Sequence, residues 1–167
     1  TTEIYTLSLH DALPIWRLNM RIYLDLCCFN RPYDDQSQTR IRLETEAKLV
    51  LQQSIRDGAC DLVWSAVMDL ENSKSPFVEH RHAIRAWRKL ACQCVAVDGA
   101  ALELGRELVA QGVREFDALH VACAIRGGCE VFVTTDDRLI KKLRARPELH
   151  PMLPGEALAF LEKWYEN

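Results

Sequence analysis

Four carboxylates, Asp25, Glu71, Asp117 and Asp136, stand where a predicted strand ends or a predicted helix begins. Asp25 closes the apolar run RIYLD at 21–25, and Asp136 closes VFVTTD at 131–136. Glu71 lies about a turn beyond the run DLVWS at 61–65, and Asp117 opens the apolar stretch DALHVACA at 117–124. In an open parallel sheet such ends share one crevice, the usual ligand position of that architecture. Acidic groups gathered there repel one another unless cations lie between them. Hard oxygen donors suit magnesium or manganese, so the pattern points to a divalent ion and to phosphate chemistry.

Taken singly, each acid has a structural explanation. Asp117 could cap a helix, as could Asp136 or Asp137. Glu71 could be a surface residue, whereas Asp25 at the end of a buried strand costs energy unless it is paired. Asp69 and Asp137 neighbour the assigned acids and are alternative ligands. Glu71 is preferred for its distance from Ser65, and Asp136 for its distance from Thr134, whose hydroxyl could orient water or phosphate. His120 lies one helical turn from Asp117, which fits either a contact to the cleft or a histidine packed against the sheet.

The elements that must carry these residues alternate. Strands are expected at 21–26, 61–65, 94–97 and 130–134, with a last short extended piece before the final helix. Helices are expected from Ser37 to about Asp57 with Gly58 as its stop, through Glu71, from Pro76 to Leu90, at 100–111 before Gly112, from Asp117 to Ile125, after Asp136, and from Gly155 to Trp164. Apolar positions Ile41, Leu43, Ala47, Val50, Leu51 and Ile55 follow a helical period, and Phe77, Ile84 and Trp87 are placed on a buried face. Alternation of this kind implies βαβ units and a parallel sheet.

With 167 residues, 49% apolar and 27% charged, the chain fits one soluble domain with a core of its own. No apolar stretch reaches the roughly 18 residues a membrane span needs. The net charge of -3 gives no global basic field for nucleic acid. Two cationic clusters remain, at Arg81, Arg85, Arg88 and Lys89 and at Arg138, Lys141, Lys142, Arg144 and Arg146. Each is a solvated helix face or a phosphate-tracking stripe, the second more open to the latter because it follows Asp136 directly. The seven cysteines sit mostly in apolar runs, and Cys27 and Cys28 would face opposite ways on a continued strand. A reducing, cytoplasmic setting is expected. The run from Glu3 to Ile15 resembles a translated sequencing-adapter fragment, and residues 1–19 are set aside as a non-native leader, leaving 20–167 as the domain.

The segments IYLD at 22–25 (continuing CCFNRP at 27–32), Ser65 to Glu71, FDALHVACA at 116–124 and VFVTTDDRL at 131–139 together resemble the PIN-domain nucleases, including the VapC-like toxins of toxin–antitoxin pairs. The resemblance runs from Met20 to about Leu143, and Leu26 departs from it where a small hydroxyl residue is common. It implies a single α/β PIN-like domain, with a mostly parallel twisted sheet of four to five strands flanked by helices. It further implies a Mg2+- or Mn2+-dependent endoribonuclease with Asp25, Glu71, Asp117 and Asp136 as metal ligands and a 5′-phosphate product. Its partners would be an RNA substrate, a small antitoxin and a second copy of itself. A receiver domain would need paired acids after the first strand, and a haloacid-dehalogenase-like phosphatase a second Asp where Cys27 stands. A PIN-like module that has lost catalysis and serves protein interaction is the alternative that retains the fold.

Overall fold

A computed structural model describes residues 19–163. Residues 1–18 of the segment set aside, and Trp164 at the expected end of the last helix, lie outside the described residues. Asn19 is described, and its amide donates to Gly58 O at 3.1 Å and Asp61 Oδ1 at 3.2 Å.

Five strands, β1 (Arg21–Leu24), β2 (Asp61–Ser65), β3 (Gln93–Val95), β4 (Val131–Val133) and β5 (His150–Met152), form one parallel sheet in the order β3-β2-β1-β4-β5. The helices are α1 (Leu26–Asn30), α2 (Thr39–Arg56), α3 (Ala66–Ser73), α4 (Val78–Ala86), α5 (Gly99–Ala110), α6 (Glu115–Arg126), α7 (Asp137–Leu143) and α8 (Pro154–Leu161). Helix α5 packs on α6, and α2 on α8. The chain leaves β1 toward β2 on one side, whereas β4 lies on the other side and leads to β5. The order therefore reverses between β1 and β4, and their carboxyl ends frame the crevice where such sheets bind ligands.

Period and burial agree in the central strands. Ile22, Tyr23 and Leu24 of β1 and all three residues of β4 are buried, as expected of strands covered on both faces. Tyr23 stacks on Phe132 of β4, with ring centroids 5.5 Å apart, and Phe29 meets Trp64 edge-on at 5.5 Å. Gly127 ends α6 where space is short: a Cβ there would lie 2.6 Å from Val63 Cγ1 of β2, so only glycine lets the turn approach the sheet.

Several local expectations change. Strand β1 stops at Leu24 because Asp25 caps a short helix, so Cys27 and Cys28 are helical neighbours rather than strand residues. Helix α6 begins at Glu115, two residues before Asp117, with Arg114 at its cap position. The segment after Pro76 is α4 followed by a 3-10 turn, Trp87–Leu90, and Phe77 is exposed. In α2 the buried stripe is helical but partly polar: Glu44, Thr45, Lys48 and Gln52 are buried beside Ala47, Leu51 and Ile55, while Leu43 and Val50 are exposed. The physical reason is Glu44, whose carboxylate is held at 2.6 Å by Arg31 and at 2.8 Å by Arg40.

Candidate metal centre

The sheet delivers Asp25 and Thr134 to the same place. The Asp25 N–H continues the β1–β4 ladder by donating to Val133 O at 2.9 Å, which fixes the residue at the carboxyl end of both strands. Its Oδ1 accepts the Leu26 N–H at 2.8 Å, capping α1. Its Oδ2 accepts the Thr134 hydroxyl at 2.9 Å and the Cys27 thiol at 3.3 Å. These donors explain how a carboxylate with only 7% exposure is tolerated.

Glu71 comes from α3, which starts directly after β2 and is capped by Ser65, whose Oγ accepts the Met68 N–H at 3.2 Å. Glu71 Oε2 lies 2.7 Å from His120 Nε2, and the other ring nitrogen, Nδ1, lies 2.7 Å from the Tyr23 hydroxyl. That hydroxyl in turn is 2.6 Å from Ser65 Oγ. One ligand atom each from Asp25, Glu71 and His120 fall within 4.8 Å of one another. Burial holds the Tyr23 phenol well above its ordinary pKa, so it stays protonated.

Asp117 is half-buried in the first turn of α6 and makes no hydrogen bond among the described residues. Burial pushes its pKa up, as do the charges of Asp25 and Asp136, while Arg114 and His120 pull it down. The same electrostatics places Asp136 within reach of this group. Asp136 caps α7, with Oδ1 accepting from Arg138 N at 2.8 Å and Leu139 N at 3.2 Å.

The neighbouring acids are engaged elsewhere. Asp69 accepts Trp64 Nε1 at 3.1 Å and pairs with Arg88 at 2.9 Å. Asp137 is held by both terminal nitrogens of Arg40, at 2.8 and 2.9 Å. Both therefore have cationic partners, although Asp137 lines the same cavity as Asp136.

His120 is at once packed and engaged: it is 1% exposed, edge-on to Tyr23 with ring centroids at 5.8 Å, and bonded to Glu71. The roles of Tyr23 and Cys27 are not visible in the sequence. A tyrosine inside an apolar strand signals only that its hydroxyl needs a buried partner. Which partner depends on where α6 sets His120.

Members of both cationic clusters make structural contacts. Arg81 donates to Ser75 O at 2.7 Å and Arg88 pairs with Asp69, while Lys142 bonds Gly112 O and Arg146 bonds Gln111 Oε1 at 3.2 Å. Arg114 and Arg138 line an open cavity of about 520 Å³ together with Thr135 and Asp136, beside the acids.

The donor set fits a hard divalent cation: the Asp25 and Glu71 oxygens converge with a His120 nitrogen, Asp117 and Asp136 fall outside that 4.8 Å group, and the Asp117 carboxylate is destabilised by its acidic neighbours. Among the described residues no helix is long and apolar enough to cross a membrane. All seven thiols are free.

The chain is similar in structure to two solved complexes, VapBC2 from Rickettsia felis bound to a promoter DNA fragment and DNA-bound VapBC from Salmonella typhimurium. Each is 16% identical with a TM-score of 0.47; the matches cover 80% and 81% of this chain and 98% of the matched chain in each case. No curated protein matches the sequence. The family model for the PIN domain matches residues 22–145, from the first strand through α7, and the chain belongs to the PIN domain family.

Proposed function

We propose that the chain is a Mg2+- or Mn2+-dependent endoribonuclease, the toxin of a toxin–antitoxin pair, with Asp25, Glu71, Asp117 and Asp136 as metal ligands. The observation that carries this reading is the convergence of Asp25 and Glu71 oxygens within 4.8 Å in a cleft where Asp117 also feels Asp25 and Asp136. When bound, a divalent ion supplies charge stabilisation for in-line displacement at phosphorus and a more acidic water.

The protein's own groups do the positioning. Thr134 donates to Asp25 and holds its Oδ2 side, and its hydroxyl also receives the Asp136 N–H at 3.2 Å, linking two of the acids through one atom. Asp136 uses Oδ1 for the helix cap, so in this reading its Oδ2 is the ligand atom. Arg114 and Arg138 offer positive charge to the nucleic-acid backbone on the rim beside Asp136. The preference for RNA, the 5′-phosphate product, the antitoxin and the homodimer rest on the family resemblance and on no contact described above.

Incubating the purified protein with mixed cellular RNA, with and without Mn2+, beside Asp117→Asn, tests the reading. Metal-dependent fragments from the wild type alone are expected. Equal cleavage by both proteins refutes the ligand assignment. Absence of any heat on titrating divalent ions into the wild type favours the catalytically silent interaction module.

A further inference from the structure

Both ring nitrogens of His120 are bonded, and the direction of the bonds follows from the Glu71 carboxylate, which can only accept. The Met68 N–H donates to Ser65 Oγ, so the serine oxygen is already an acceptor and its own hydrogen can go to the Tyr23 oxygen 2.6 Å away. The Tyr23 hydrogen then points at His120 Nδ1, 2.7 Å away. A neutral imidazole that accepts at Nδ1 carries its hydrogen at Nε2. There Glu71 Oε2 receives it at 2.7 Å. In the opposite direction an Nε2 lone pair would face a carboxylate lone pair at that distance, which is repulsive.

We propose that Ser65, Tyr23 and His120 form a one-way hydrogen-bond chain that fixes His120 as an Nε2–H donor to Glu71 and presents the remaining Glu71 oxygen to the cleft. This deepens the metal-centre reading above and rests on it. His120 is a positioning residue, not a metal ligand, although its nitrogen lies in the same 4.8 Å group as Asp25 and Glu71. The arrangement has a physical purpose. The Glu71 side chain is 35% exposed and would sample several rotamers, whereas the ring that holds it is 1% exposed. A bond from a rigid buried group removes that freedom during folding rather than when the ion binds. Tyr23 is itself fixed by its stack on Phe132.

The chain can be read directly from ring 15N NMR of the metal-free protein above neutral pH. The wild type is expected to show a protonated Nε2 and an unprotonated Nδ1 on His120. Tyr23→Phe, which keeps the aromatic stack, is expected to give a mixture of tautomers. In Mn2+ calorimetry, Tyr23→Phe should weaken binding about tenfold and His120→Leu up to about 100-fold. His120→Gln keeps a donor for Glu71 and an acceptor for Tyr23, so it should stay within about threefold of the wild type. Where cleavage is measurable, kcat should fall in the same order with KM for RNA unchanged. A proton on Nδ1 in the wild type, or His120→Leu binding Mn2+ as tightly as the wild type, overturns the proposal. The expected ring pattern in a wild type that neither binds Mn2+ nor cleaves RNA would instead overturn the nuclease reading and leave the chain standing.

Discussion

Asp117→Asn removes a charge that the folded protein holds at a cost. The carboxylate has no hydrogen bond among the described residues, is half-buried, and faces Asp25 and Asp136. Two carboxylates about 6 Å apart, the outer range of such charge effects, repel by about 2.8 kcal/mol at an effective dielectric of ~20 and by about 0.7 kcal/mol in bulk water. Partial exposure and the opposing Arg114 place the net relief near the lower figure, about 1 kcal/mol. For a chain of this size that is about 2–4 °C in Tm. The pH dependence has a definite sign. Because its folded pKa is raised, Asp117 favours folding at acid pH and loses that contribution as pH rises through the raised value. Thermal melts in chelator should therefore show the two proteins converging in acid, and Asp117→Asn melting higher at neutrality. Mn2+ should reverse the order, since a wild type at a hundredfold excess of ion over Kd gains about 2.7 kcal/mol and the variant gains less. A variant that melts below the wild type in chelator, or that gains equally from Mn2+, would refute the argument.

Asp136→Asn should abolish metal-dependent cleavage while α7 stays intact, because asparagine also caps helices, whereas Asp137→Asn should leave cleavage within about twofold; RNA digestion and circular dichroism decide both. Arg31→Met should cost about 3 kcal/mol in urea unfolding, since it strips one of two cations from the buried Glu44. Lys48 is 4% exposed, and burial lowers its pKa to about 8, so wild-type stability should climb as pH rises from about 8 toward the ordinary lysine range. Lys48→Met should remove that climb and gain on the order of 2 kcal/mol at neutral pH, read by denaturant titration across pH.

The parallel sheet and the acids at its edge were legible in the sequence because apolar runs ending in an acid are local signals. Asp25, Thr134 and Asp136 sit where strand ends alone would put them. The partners that make the acids tolerable were not legible, since they come from elsewhere in the chain. Glu44, Lys48 and Gln52 occupy the core-facing stripe of α2, and periodicity assigns such residues outward unless the arginines that hold Glu44 are known. That Asp69 and Asp137 are paired likewise depends on where Arg88 and Arg40 reach. The link from Tyr23 to Glu71 joins three elements through a histidine whose tertiary placement no spacing encodes.

Arg31, Glu44, Arg40 and Asp137 make a continuous electrostatic tie from the turn after α1, across α2, to the start of α7. The two lips of the crevice, one following β1 and the other following β4, are thereby fastened to a single long rod. Movement of either lip against the other must therefore break at least one of these ion pairs. High salt should loosen the outer Arg40–Asp137 link first, because that pair is open to solvent while the Glu44 end is sheltered.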